Sequence, residues 1–177
     1  SNAVLIGMAA NMRRVKGADL LLRALIDLPS NIHGLFIGEI RDPEIMELAA
    51  DARLTGRVHF TGYRPDAPYL IGSLDVNVAP SRGREGLTKT VIEGLVQGVP
   101  AVVSNAGGLP ELVQSGETGY VFEVDNINQL IDKLKILIFD PEKREIMKNN
   151  TRKSITEKIN ICDTIRDTSM LYHSLIT

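Results

Sequence analysis

Short apolar runs alternate with helix-like segments along most of the chain. The runs are Val4–Met8, Gly34–Ile37, Arg57–Thr61, Asp75–Ala79, Ala101–Ser104 and Gly119–Phe122. Between the first two, Leu21, Leu22, Leu25 and Leu28 share one helical face of Ala18–Leu28, and Pro29 stops it. Asp42-Pro43 reads as an N-cap with proline in the first turn, opening a helix to about Ala52. Further helices are expected over about Ala67–Ser73, over Leu87–Gln97 with Gly98-Val99-Pro100 closing it, and over Pro110–Gln114. Strands joined by helices through short loops run parallel and are covered on both faces. The expected fold is therefore α/β: a doubly wound, Rossmann-like parallel six-stranded sheet with helices on both faces. After Phe122 the pattern is wholly helical. Ile127, Leu130, Ile131, Leu134, Leu137 and Ile138 form a stripe of 3.6 period, Asp140-Pro141 opens a helix to about Lys158, and a last one covers about Asp163–Leu175. Ligands of such folds bind outside the carboxyl ends of the strands.

Composition narrows the class. At 177 residues the chain is close to one domain. Hydrophobic residues at 44% and charged ones at 24% argue against wholesale disorder. With 20 basic and 22 acidic side chains the net charge is −2, which lowers the rank of a general nucleic-acid binder. Cys162 is the only cysteine, so no internal disulfide forms and a reducing compartment is expected. The longest apolar run, Val4–Ala10, falls far short of the ~18 residues of a membrane span. Ser1-Asn2-Ala3 resembles the remnant of a cleaved expression tag. Val4 then starts a strand with no lead-in, so residues 4–177 are expected to be a single domain of a longer protein.

The most informative stretch is Pro80-Ser81-Arg82-Gly83-Arg84-Glu85-Gly86-Leu87-Thr88-Lys89-Thr90-Val91-Ile92-Glu93. It runs from a strand end through a glycine-containing loop into a helix. Free amides at a helix N-terminus attract anions, and the helix dipole adds to this. The amides of Gly86, Leu87 and Thr88 are therefore candidate phosphate donors. Arg82, Arg84 and Lys89 sit where the dipole is positive, which is unfavourable unless an anion arrives; ordinary solvated surface is the other reading, favoured for Arg82. Glu85 and Glu93 are eight residues apart. Eight residues of helix span ~12 Å, beyond the roughly 5–9.5 Å of a glycosidase carboxylate pair. Two separate jobs fit better: Glu93 accepting hydrogen bonds from ribose hydroxyls, and Glu85 binding hydroxyls of a moiety beyond the phosphates. Taken alone, both are more readily read as surface residues.

Two other loops follow strands. Asn11-Met12-Arg13-Arg14-Val15-Lys16-Gly17 carries three cations within four residues, enough to neutralise a diphosphate, or else a solvated loop. Asn105-Ala106-Gly107-Gly108-Leu109-Pro110-Glu111 allows a positive-φ turn or close approach to a ligand. His33, His59 and His173 are far apart in sequence, with no HExxH and no Cys–His pairing, so no metal site is expected; His33 and His59 read as packed or surface residues. There is no G-x-G-x-x-G, Walker A or G-x-S-x-G sequence. Cys162 reads as a small buried hydrophobe.

Together these stretches resemble the C-terminal domain of the group 1 (family 4) retaining glycosyltransferases, which have the GT-B fold. The resemblance covers residues 4–175. Its strongest element is P-S-x-x-x-E-G-L-x-x-x-x-x-E, continuing as Gly94-Leu95-Val96-Gln97-Gly98-Val99-Pro100. Lys16-Gly17, Arg57-Val58-His59-Phe60-Thr61-Gly62, Gly107-Gly108-Leu109-Pro110-Glu111, Gly116-x-x-Gly119-Tyr120-Val121-Phe122 and Asp140-Pro141 agree in order and spacing.

The resemblance implies transfer of a sugar from a nucleoside-diphosphate donor (UDP-, GDP- or ADP-sugar) to an acceptor hydroxyl with retention. Lys16 and Glu85 would be the catalytic residues. Lys16, with a nearby arginine, would bind the diphosphate and stabilise the leaving group, and Glu85 would contact the donor sugar. The Gly86, Leu87 and Thr88 amides would hold phosphate and sugar, Glu93 the ribose, and Tyr63 would lie near the base. Such enzymes generally need no metal, because cations and helix dipoles stabilise the developing charge. The acceptor domain, N-terminal in that family, is absent from these residues, so this part alone is expected to be inactive. A saccharide or lipid-linked acceptor, a role in cell-envelope polysaccharide synthesis and a cytoplasmic location go with the resemblance. So does peripheral membrane contact through Lys143, Arg144, Lys148, Arg152, Lys153 and Lys158, although a merely solvated helix face is the favoured reading of these six. One departure stands out. Where the family often has Gly-Arg-Leu before the lysine, this chain has Ala10-Asn11-Met12, and Arg13 or Arg14 is expected to substitute. The alternatives are an inert sugar-nucleotide-binding module, supported by Asn11, or another GT-B enzyme such as a sugar-nucleotide epimerase.

Overall fold

The computed structural model describes residues 3–83, 85–158 and 161–176, with the backbone alone for 156–158, 161–164 and 176. Six strands form one sheet: β1 (Val4–Ala9), β2 (Ile32–Ile37), β3 (Val58–Phe60), β4 (Val76–Ala79), β5 (Ala101–Ser104) and β6 (Gly119–Phe122). Every pairing is parallel, and the order is β3-β2-β1-β4-β5-β6. This is the Rossmann order, so the expected doubly wound sheet is the one observed. The helices are α1 (Ala18–Asp27), α2 (Glu44–Ala49), α3 (Ala67–Gly72), α4 (Lys89–Gln97), α5 (Leu109–Leu112), α6 (Ile127–Phe139), α7 (Pro141–Lys158) and α8 (Ile161–Ile176).

The two-residue period of the strands sorts the core into two layers. Ile6, Met8, Val76, Val78, Val102, Tyr120 and Phe122 face one way and pack with Leu21, Leu22 and Leu25 of α1 and Leu130, Leu134 and Leu137 of α6. Ala101 and Val103 face the other way, against Val91 and Leu95 of α4, and Ala9 and Ile37 meet Ile71 of α3. The apolar stripes read from the sequence in α1 and α6 are thus the faces these helices bury. α7 lies along α4 and buries Met147, Thr151 and Ile155 at four-residue spacing.

Several helix bounds differ from expectation. The segment expected to run to about Ala52 breaks after Ala49, and a 3-10 turn follows at Ala52–Leu54. α4 starts at Lys89, two residues later than expected, which leaves Gly86 and Leu87 in the preceding loop.

Arg57 has a role that strand reading did not show. Its guanidinium is buried and donates to the carbonyls of Leu25 (2.8 Å), Leu28 (3.2 Å), Pro29 (3.0 Å), Ile32 (3.0 Å) and Arg53 (3.0 Å). It therefore caps the open C-terminal carbonyls of α1, which a helix end must satisfy somehow.

Four of the six cations of α7 are engaged inside the protein. Lys143 stands over the Tyr120 ring, Arg144 donates to the carbonyls of Leu137 and Ile138, Lys148 pairs with Glu145, and Arg152 donates to the Gln97 carbonyl. The side chains of Lys158 and Cys162 lie outside the described residues. Among the described residues, no helix is long and apolar enough to cross a membrane.

Candidate functional site

The sheet order reverses between β1 and β4, and the loops leaving these two strands meet above their carboxyl ends. The first loop is pinned at its start: the Ala10 amide donates to Ile37 O (2.9 Å) and the Met12 amide to Glu39 O (2.8 Å), with the Met12 side chain fully buried. The loop then closes as a 3-10 turn over Arg14–Lys16 and ends at Gly17, φ 72°. A β-carbon at Gly17 would stand 2.0 Å from the Pro80 carbonyl oxygen, so only glycine lets the turn rest on the end of β4.

Arg82 ties these loops together. Its guanidinium forms a two-pronged pair with Asp19 of α1 (2.6 and 2.8 Å) and also donates to the Arg14 carbonyl and to Asp125. The solvated-surface reading of Arg82 is corrected: it is a half-buried tether between three segments. Burial alone would raise the Asp19 carboxyl, but the Arg82 hydrogen bonds and charge, with Arg23 behind them, hold it below its ordinary value. The Asp19 hydrogen bonds likewise raise Arg82 further above the usual guanidinium range.

With the loops so held, Lys16 Nζ lies 2.6 Å from Glu85 Oε1, sixty-nine residues away in sequence. Their side chains are 29% and 15% exposed. Glu85 is itself held from behind. The Gly108 amide donates to the Glu85 carbonyl (2.8 Å), and Gly107 (φ 54°) lies against the same residue's backbone. The paired-glycine loop, read from sequence as a turn or a ligand approach, thus makes its close approach to Glu85.

A cleft of about 350 Å³ opens over this pair, with Met8, Ala9, Val78 and Ala79 as its floor and Asn11, Lys16, Ser81, Glu85, Thr88 and Lys89 around it. At one side stands the N-terminus of α4. The amides of Gly86, Leu87, Thr88, Lys89 and Thr90 donate to no group among the described residues. Thr88 is the N-cap residue, yet its hydroxyl makes no cap hydrogen bond, and Thr88 Oγ1 is buried without a partner among the described residues. Glu93, one turn into the helix, pairs with Lys89 at 3.4 Å, and its side chain is 20% exposed.

Of the other expected residues, Gly86, Leu87 and Glu93 lie beside the cleft on the loop and helix that border it but are not part of its lining, and Arg13, Arg14 and Tyr63 lie further out. Arg13 is exposed, and the Arg14 guanidinium sits 3.9 Å from Glu44 of α2. Tyr63 is 73% exposed on the loop after β3, which joins the β2 loop through the Gly38 amide on Gly62 O (2.9 Å). Arg84 lies outside the described residues. His33 and His59, far apart in sequence, do meet across β2 and β3, with His33 Nδ1 and His59 Nε2 3.4 Å apart. No group of three or more His, Cys, Asp or Glu suited to a metal occurs among the described residues. Sequence reading weighed only the Thr88 amide, not its hydroxyl, and took Asn11 only as a replacement, not as part of the cleft wall.

The family model described as "Glycosyl transferases group 1" matches residues 1–154. The chain is 25% identical over 181 residues to N-acetyl-alpha-D-glucosaminyl L-malate synthase of Bacillus anthracis, covering 99% of this chain and 46% of that protein. It is 28% identical over 182 residues to the lipopolysaccharide core biosynthesis mannosyltransferase LpsB of Rhizobium meliloti, covering 97% and 52%. Among solved structures, Anabaena HepE in complex with UDP-glucose superposes with a TM-score of 0.89 at 22% identity, over 98% of this chain and 49% of that one. The chain thus spans about half the length of the relatives it matches.

Proposed function

Because the chain belongs to the group 1 glycosyl transferases, we propose that it is the donor-nucleotide domain of a retaining enzyme that moves a sugar from a nucleoside diphosphate to an acceptor hydroxyl. The observation that carries this reading is the cleft at the β1–β4 switch, where the Lys16–Glu85 pair faces the unpartnered amides at the start of α4. Each part suits a stage of the chemistry. Amides at a helix N-terminus hold phosphate oxygens and need no reorganisation when charge develops on them. Lys16 lies where it can balance the charge that builds on the diphosphate as the glycosidic bond breaks. Glu85, with Lys16 on one oxygen, keeps the other for a hydroxyl of the sugar. Glu93, one turn along the same helix, would receive ribose hydroxyls. None of these roles uses a metal.

The acceptor, on this reading, is bound by residues outside the chain, and the 177 residues alone bind donor without transferring sugar. The relatives named as a mannosyltransferase of lipopolysaccharide core and as a glucosaminyl L-malate synthase support sugar transfer as the class and leave several acceptors within it. Peripheral contact with an anionic membrane through α7 has less to rest on, since four of its six cations are engaged within the protein. Equal co-sedimentation with anionic and neutral vesicles would reject it.

Thermal unfolding with millimolar UDP, GDP, ADP and CDP tests the main reading. A ligand at 100 times its dissociation constant adds about 2.7 kcal/mol of stability. One nucleotide is expected to raise the midpoint, and Glu93→Ala to lose the rise. A rise of equal size in Glu93→Ala would remove Glu93 from the site, and no rise with any nucleotide would count against a donor site in this chain.

A further inference from the structure

We propose that Lys89 is the second cation of the diphosphate site, the part that Arg13 or Arg14 was expected to take; this rests on the donor-site reading above. Lys16 alone is not enough. It stands 2.6 Å from Glu85, and the pair is close to neutral as a unit. A diphosphate of two or more negative charges would meet little net positive charge at that point.

The other described cations of the neighbourhood are paired elsewhere or do not line the cleft. Arg82 is held by Asp19 and Asp125. Arg14 turns its guanidinium towards Glu44, and its carbonyl is bound by Arg82. Arg13 does not line the cleft, whereas Lys89 does.

Lys89 is also placed badly for a protein without an anion. It is the first residue of a nine-residue helix, where the dipole is positive and disfavours a cation. Its contact with Glu93 runs lysine before glutamate, the weaker direction for an i,i+4 pair, and its side chain is 87% exposed. Beside it, Thr88 Oγ1 is buried with no hydrogen-bond partner among the described residues, a state that costs free energy until something pairs with it. The amides from Gly86 to Thr90 want an acceptor as well. A phosphate at this helix end relieves the misplaced cation and the unfilled amides together. As Lys89 Nζ moves from Glu93 to a phosphate oxygen, the Glu93 carboxylate is released to accept ribose hydroxyls. One side chain thereby links occupancy of the phosphate site to readiness of the ribose site.

NMR titration of the chain tests this. Wild type is titrated with UDP, GDP, ADP and CDP. The nucleotide that binds, and its nucleoside, are then titrated into Lys89→Met, Lys89→Arg, Arg13→Met, Arg14→Met and Arg84→Met. Lys89→Met is expected to weaken the diphosphate about tenfold, the scale of one charge-assisted contact, without weakening the nucleoside, and Lys89→Arg to restore most of the affinity. Diphosphate affinity within about twofold of wild type in Lys89→Met would overturn the proposal. So would an equal loss for nucleoside and diphosphate, or a tenfold loss in an arginine variant alone. If wild type binds no nucleotide, the donor-site reading itself fails, an outcome distinct from these.

Discussion

A β-carbon added at Gly107 would stand 2.2 Å from the carbonyl oxygen of Glu85, closer than such atoms approach. The loop after β5 therefore acts as a backstop for the carboxylate that the loop after β4 presents. The Gly108 amide on the Glu85 carbonyl completes the brace. Lys16 comes to Glu85 from the β1 side, so the pair is fixed by three loops from three strands, a geometry that a single loop would not hold.

Gly107→Ala should accordingly disturb the cleft as well as the fold. The residue has φ 54°, so the substitution brings left-handed strain together with a backbone clash. A loss of about 1–3 kcal/mol is expected in urea unfolding. In the same variant, the NMR signals of the Gly86–Thr90 amides should move in the absence of any ligand. Unchanged signals at these positions would show that the brace does not set the geometry of the cleft.

Arg57 offers the opposite case, a residue important to stability and remote from the site. Arg57→Ala removes the side-chain donor to the carbonyls of Leu25, Leu28, Pro29 and Ile32, of which Leu25 and Pro29 keep the backbone amides of Leu28 and Ile32. Buried groups left unpaired cost about 1–3 kcal/mol each, and with partial relaxation a loss of about 3 kcal/mol overall is expected. Nucleotide affinity measured well below the melting midpoint should stay within about twofold of wild type.

The Asp19–Arg82 pair gives the fold a pH dependence of definite sign. The Asp19 carboxyl is held below its ordinary value of 3.8. A group with a depressed folded-state value contributes stability that is fully present above its unfolded value and is lost as pH falls through the folded one. The stability difference between wild type and Asp19→Asn should therefore be constant near neutrality and shrink below about pH 4. A difference that grew on acidification would contradict the role given to this pair.

Much of this was legible in the sequence, and for physical reasons. Strand positions are local: short apolar runs located β5 and β6 to the residue, because strands covered on both faces are mostly apolar. The loop-to-helix stretch from Pro80 to Glu93 carried its own signal, since glycine, a helix start and charged residues coincide there. The contacts that make a site of it are not local. Nothing in the neighbourhood of Gly107 points to Glu85, and the approach depends on two loops from different strands. Arg82 looked like solvated surface because its partners Asp19 and Asp125 lie far away along the chain. His33 and His59 looked separate because only the β2–β3 register brings them together. The open end of α4 fell two residues later than its pattern suggested, because Leu87 is exposed and stays in the loop, although it fits the helical spacing.

The most direct measurement is a map of backbone amide signals on adding the nucleoside diphosphate that stabilises the chain. The Gly86–Thr90 amides and those of Asn11 to Gly17 should shift most, and Lys16→Met should weaken the response. Shifts centred elsewhere, such as the His33–His59 face or the groove between α4 and α7, would contradict the donor-site reading.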